Sequence, residues 1–190
     1  MKFSKLVAGT MSWGAWGRRF DSLDMQRQIE NTVGLGISTF DHADIYGGYT
    51  TESAFGAAFS KTNISRSRVQ FISKCGIQLQ TPNRSNRLKH YDCSKNYIIS
   101  SAEASLKHLK TDYLDLLLIH RPSPLMDPHD IMEAVQYLKK EGKIINFGVS
   151  NFTPSQVELL ASEVPVAVNQ IEFSLVQHQA LFDGTLDQLI

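Results

Sequence analysis

Residues 9–14 read Gly9-Thr10-Met11-Ser12-Trp13-Gly14, and the architecture turns on what this stretch lacks. It follows the first short apolar run of the chain, at 5–9, and similar runs recur at 38–41, 69–74, 113–120, 144–150 and 166–171. These runs are β-branched or aliphatic without alternation, the pattern of strands covered on both faces. Amphipathic stretches separate them. Asp127-Pro128 caps and opens a helix whose inner face is Ile131, Ala134, Val135 and Leu138, with Gly142 as its stop. Thr153-Pro154-Ser155-Gln156 has the form of a capping box ahead of Val157, Leu160 and Ala161. Ser94 can cap a helix bearing Ile98, Ala102, Leu106 and Leu109. Weaker helical patterns cover 23–35, with Met25, Ile29 and Val33, and 51–60, with Phe55, Ala58 and Phe59. Strand–helix alternation implies a parallel sheet with right-handed crossovers, either open and doubly wound or closed into a (β/α)8 barrel. A dinucleotide-binding open sheet would place G-x-G-x-x-G directly after its first strand. Residues 9–14 do not carry it, which favours the α/β barrel of TIM type. Residues 1–190 then form a single domain of about six β/α units, an incomplete barrel against the eight of a closed one.

The composition fits a globular chain. Of 190 residues, 42% are hydrophobic and 20% charged, and a chain of this length can bury one sizeable core. The 19 basic and 19 acidic residues cancel, so no global charge draws the chain to nucleic acid or to an anionic membrane surface. Two cysteines, Cys75 and Cys93, do not make a disulfide framework. With His90 they match no zinc spacing, so no metal is expected. The apolar stretch Leu6-Val7-Ala8-Gly9 is too short for a signal segment, and no run of about 18 apolar residues exists. A cytoplasmic protein is the expectation, and nothing in the sequence fixes an oligomeric state.

The polar residues fall in a pattern. Phe40 is followed by Asp41, Phe71-Ile72-Ser73 by Lys74, and Leu116-Leu117-Leu118-Ile119 by His120. Phe147-Gly148-Val149 leads to Ser150-Asn151, and Val166-Ala167-Val168 leads to Asn169-Gln170. In a parallel sheet these ends share one pole, and in a barrel they converge on the mouth where the chemistry is placed. Each has an ordinary explanation alone: a cap for Asp41, solvent for Lys74, core packing for His120, turn chemistry for Ser150-Asn151 and backbone satisfaction for Gln170. An acid, a base, an imidazole and carboxamides arriving together point instead to a site.

FDHADIYGGY (40–49), FISKCG (71–76), LDLLLIHRP (114–122), FGVSNFTP (147–154) and VNQIE (168–172) resemble the aldo/keto reductase superfamily. The wording around DHADIYGGY, SKCGI, HRPSPLMDP and DGTLDQL is most similar to its bacterial YdhF-type oxidoreductase branch. The resemblance implies an NADPH-dependent oxidoreductase that reduces a small-molecule aldehyde or ketone to an alcohol. By position it implies a catalytic tetrad of Asp41, Tyr46, Lys74 and His120, with nicotinamide contacts at Ser150, Asn151 and Gln170. Tyr46 would be the general acid. Lys74 would lower its pKa from the ordinary phenol value near 10, Asp41 would hold Lys74, and His120 would orient the substrate oxygen. The hydroxyl and two carboxamides offer both donors and acceptors, as a nicotinamide carboxamide requires.

Trp13 and Trp16 could line an apolar substrate pocket or pack in the core. The polar stretch 78–91, with Arg84, Arg87, Lys89 and His90, could cover the mouth or be a solvated loop. Asp44 reads as structural. A closed barrel typically takes about 250 residues, and this sequence stops in what reads as the start of a further helix, so a C-terminally truncated chain that binds NADPH poorly is expected. The aromatic that stacks on nicotinamide and the phosphate loops of the resembled family would lie past Ile190. Two alternatives stand beside the enzyme: a non-catalytic nicotinamide-binding sensor of the same fold, and an inactive fragment.

Overall fold

The computed structural model describes residues 3–188; the readings made on Met1-Lys2 and Leu189-Ile190 lie outside the described residues. In chain order the elements are β1 (Val7–Gly9), α1 (Ser22–Gly34), β2 (Thr39–Asp41), the single turn α2 (Tyr46–Tyr49), α3 (Thr51–Phe59), β3 (Gln70–Cys75), β4 (Ile77–Gln78), β5 (His90–Tyr91), α4 (Lys95–Leu109), β6 (Leu114–Ile119), α5 (Pro128–Lys140), β7 (Ile144–Ser150), α6 (Pro154–Ala161) and β8 (Asn169–Gln170). The expected caps start the helices. Asp127 accepts the His129 N–H at 2.8 Å, Ser94 accepts the Tyr97 N–H at 3.4 Å, and the Thr153 N–H donates to Gln156 Oε1 at 3.0 Å. Asp21 caps α1 through the N–H groups of Leu23 and Asp24. No helix among the described residues is long and apolar enough to cross a membrane.

Strands β1-β2-β3-β6-β7-β8 form one sheet in that order, with every neighbouring pair parallel. Strands stand ~4.8 Å apart, so four steps would separate β2 from β8 by ~19 Å in a flat sheet. Yet Gln170 Nε2 on β8 donates to Asp41 Oδ1 on β2 at 3.3 Å. The sheet is therefore curled about a common interior, an incomplete barrel. Its last strand is shorter than the apolar run 166–171. The regular ladder is limited to Val149↔Asn169 and Ser150↔Gln170, although Ala167 and Val168 already bond to β7. Stretch 78–91, read as a loop, has paired ends: β4 and β5 form a two-residue antiparallel ribbon that is too short to leave a period in the sequence.

The period of two along each strand divides the core into two layers. Phe40, Phe71, Leu117, Phe147 and Val149 point outward and pack beneath the helices with Met25, Ile29, Phe55, Ile98, Leu109 and Leu138. Ile72, Leu116 and Leu118 point inward, against Phe3 and Val168. One residue further along the same inward rows stand Lys74 on β3 and Ser150 on β7, with His120 just past β6 and Asp41 ending β2. Gly56 lets α3 lie against α4, since a Cβ there would meet the His108 carbonyl oxygen.

Arg66 ties the opposite pole together. Its guanidinium donates to Thr111 Oγ1, the carbonyls of Val69 and Tyr113 and the Asp115 carboxylate at 2.7–2.9 Å, and lies over the rings of Phe71 and Tyr113. Asp115 also accepts the Phe71 N–H at 2.8 Å. Arg66→Met leaves a largely buried carboxylate and two carbonyls short of donors. Discounted for the partial exposure of the pair, we expect a loss of about 2 kcal/mol in urea unfolding. Arg66→Lys should recover little of it, because a single ammonium cannot reproduce the planar fork. A loss under about 0.5 kcal/mol for Arg66→Met would mean that water replaces all of these bonds.

Candidate functional site

The inward rows end in a cavity of about 380 Å³ at the C-terminal ends of the strands. Asp41, Lys74 and His120 reach it because each ends a β-run on the interior face, and His120 is held in register by its N–H on the Cys75 carbonyl at 2.8 Å. Tyr46 comes from beyond β2. After Asp41 the main chain stays bonded to β3, His42 N–H to Ile72 O at 2.8 Å and Asp44 N–H to Lys74 O at 3.0 Å. It then reverses through Gly47 and Gly48, with φ of +62° and +67°, values at which a Cβ would be strained. The reversal brings the phenol back over β3.

Lys74 is the hub. Only 2% exposed, its Nζ donates to Asp41 Oδ2 at 2.7 Å, to the His42 carbonyl at 2.9 Å and to Tyr46 Oη at 3.0 Å. The Tyr46 ring meets His120 edge-on at 6.0 Å between centroids and Trp16 at 6.2 Å. The four residues expected of the tetrad thus follow one another, Asp41 to Lys74 to Tyr46 to His120, on the wall of one cavity. Ser150, Asn151 and Gln170 line the same cavity. Asn151 takes a left-handed φ of +57°, and its Nδ2 donates to Ser150 Oγ at 2.9 Å.

The electrostatics correct one expectation. Lys74 does favour the Tyr46 phenolate, but burial outweighs it and Asp41 adds to burial, so the phenol is held above 10.0 rather than below it. His120 is pushed down to about 3, by burial first and then by Lys74, Arg121 and Lys89, so its imidazole is neutral at physiological pH.

The two tryptophans part company. Trp16 is half exposed on the cavity wall beside Tyr46. Trp13 is in the core among Phe20, Phe40 and Phe55 and does not line this cavity. The turn from Thr10 to Trp13 drops its ring onto the outer layer, next to the outward Phe40. The 79–89 loop is largely exposed and docks on the turn that carries Tyr46: Asn83 donates to the Gly48 carbonyl at 2.8 Å and Arg84 lies 4.4 Å over the Tyr49 ring. Among the described residues no three His, Cys, Asp or Glu side chains gather as metal ligands would.

Sequence reading took Asp44 as structural but missed Glu52, which is buried with it in a polar cluster behind the site. A signal was present for Glu52, which shares the helix face of Phe55 and Phe59, where an unpaired charge does not belong.

The sequence matches the profile of the aldo/keto reductase family over residues 5–183. It is 48% identical to oxidoreductase YdhF of Escherichia coli, covering 99% of this chain and 63% of that protein. It is 44% identical to the oxidoreductase YcsN of Bacillus subtilis, covering 98% of this chain and 63% of that protein. The chain therefore spans a little under two thirds of the length of these relatives. Among solved structures, the holo form of an aldo-keto reductase from Bacillus halodurans superposes with a TM-score of 0.83 at 26% identity, over 98% of this chain and 59% of that one.

Proposed function

This chain belongs to the aldo/keto reductase family, and from that premise we propose that the cavity is the active site of an NADPH-dependent reductase converting a small aldehyde or ketone to its alcohol. The observation that carries this reading is Lys74, a buried ammonium bonded at once to the Asp41 carboxylate and the Tyr46 hydroxyl, on the wall of a cavity large enough for a small substrate.

The cavity's donor set fits a nicotinamide. Ser150, Asn151 and Gln170 present a hydroxyl and two carboxamides on the wall that Lys74 and Tyr46 share, and they would hold the carboxamide and fix one ring face toward the substrate. When bound, the reduced nicotinamide supplies a hydride to the carbonyl carbon. Tyr46 gives its proton to the substrate oxygen, which suits a phenol that burial keeps protonated. Lys74 stabilises the phenolate left behind, and Asp41 fixes Lys74. His120, a neutral imidazole, donates to the same oxygen without bringing a second cation next to Lys74. Trp16 forms an apolar wall for the substrate's carbon end.

The test is NADPH consumption by the whole protein that carries these 190 residues, with a panel of aldehydes and ketones and the alcohol measured as product. One alcohol per NADPH consumed is expected for at least one class of carbonyl, with a higher kcat/KM for NADPH than for NADH. Cofactor binding with no turnover across the panel would instead leave a sensor.

A further inference from the structure

Behind the Tyr46 segment lies a buried cluster that the proposed reaction does not use. Asp44 is 8% exposed. Its N–H donates to the Lys74 carbonyl at 3.0 Å, and its Oδ2 accepts hydrogen bonds from Tyr97 Oη and Ser101 Oγ of α4, both at 2.9 Å. Its Oδ1 has no hydrogen-bond partner among the described residues. Glu52 of α3, 3% exposed, accepts from Ser73 Oγ at 2.5 Å and has its other oxygen 3.8 Å from His108 Nδ1. Asp44 is thus joined through its backbone to Lys74 and through its side chain to α4, and Tyr46 follows it by two residues.

We propose that Asp44, with Tyr97 and Ser101, is a positioning residue of the active site: its buried carboxyl pins the 42–46 segment to α4 and thereby sets where the Tyr46 hydroxyl stands relative to Lys74. This rests on reading Tyr46 and Lys74 as the reactive pair. A pH dependence follows from the surroundings of the carboxyl. Burial, and then Glu52, push Asp44 up to about 7, against the hydrogen bonds from Ser101, Tyr97 and the Ile45 amide that favour its ionised form. The remaining ionisable groups facing it are Tyr49 of α2, Tyr97 of α4 and Cys75 of β3, all held protonated by burial. The Lys74 ammonium is engaged with Asp41, and His108 faces Glu52. Ionisation therefore places a second anion beside Glu52, with no cation among the groups that shift the Asp44 carboxyl. Because Asp44 binds its proton more tightly folded than at its ordinary 3.8, its contribution is complete below that value and is lost as pH rises through about 7. The carboxylate then pulls toward water and takes the Tyr46 segment with it.

The test is to follow the thermal midpoint and tryptophan emission from about pH 5 to about pH 9. Trp16 reports on Tyr46, which it meets edge-on at 6.2 Å, while Trp13 is packed in the core. In the native protein the thermal midpoint should fall as pH rises from about 5 and level off near 7, the pH at which the emission steps. Asp44→Asn keeps an acceptor for Tyr97 and Ser101 but cannot ionise, so both the fall in midpoint and the emission step should vanish. Tyr97→Phe removes a donor that favours the ionised form and should move the step to higher pH by about half a unit or more. Persistence of the step in Asp44→Asn, its absence from the native protein, or an unmoved step in Tyr97→Phe should Asp44→Asn not fold, would overturn the proposal. A stability step without an emission change would do the same, leaving Asp44 a structural acid only. None of these readouts needs turnover, so an inactive reductase and a failed positioning role give different results.

Discussion

Tyr46→Phe is expected to lower carbonyl reduction by about a hundredfold to ten-thousandfold, the usual contribution of a positioned general acid, while leaving the fold and NADPH binding intact. The substitution removes one oxygen. The ring keeps its edge contacts with Trp16 and His120, and Lys74 keeps the Asp41 carboxylate and the His42 carbonyl as acceptors. A large loss of kcat without a matching loss of stability therefore reports chemistry. The pH profile gives a second check. Tyr46 donates only while protonated, and burial holds its phenol above 10.0, so its own titration should lower native activity only in the alkaline range. The residual activity of the Phe variant should lack that alkaline limb. His120, at about 3, contributes no limb near neutrality, so a break near pH 7 would belong to Asp44. A Tyr46→Phe variant that retained more than about a tenth of the native rate would show that the phenol is not the proton donor.

The strands and most of the cavity wall could be read from the chain because both depend on local order. Asp41, Lys74 and Ser150 each end an apolar run on an inward position, and a period of two carries that direction without any tertiary knowledge. Tyr46 needed the resemblance, since its return over β3 depends on two successive left-handed glycines, whose effect on direction no periodicity records. Three features depended on packing between distant segments. Trp13 took the outer layer because Phe40 and Phe55 meet there. The Tyr46 phenol rose instead of falling because the outcome weighs Lys74 against burial, and burial is a property of the assembled cavity. Asp44 and Glu52 come to share one pocket only when α3 and α4 close on β3, a contact that Gly56 permits by presenting no Cβ to His108.

The largest combined effect on activity and stability should come from Lys74→Met. It fills similar space but leaves Asp41, with a side chain only 11% exposed, with Gln170 Nε2 at 3.3 Å as its one remaining side-chain donor among the described residues. Removing one member of a buried pair strands the other charge, and a loss of about 3–5 kcal/mol in urea unfolding is expected. Turnover should fall at least as far as in Tyr46→Phe, because the phenolate loses its cation and the hydroxyl its anchor at 3.0 Å. The double variant Asp41→Asn with Lys74→Met separates the two losses. With both charges gone, no ion is stranded, so most of the lost stability should return and the single substitutions should be strongly non-additive. Activity should not return, since nothing replaces the ammonium beside Tyr46. Stability in the double variant no better than in Lys74→Met would mean that Asp41 is not the charge stranded by the single change. Recovered turnover would mean that the reaction does not need Lys74, and with it the chemical role given to the cavity would fail.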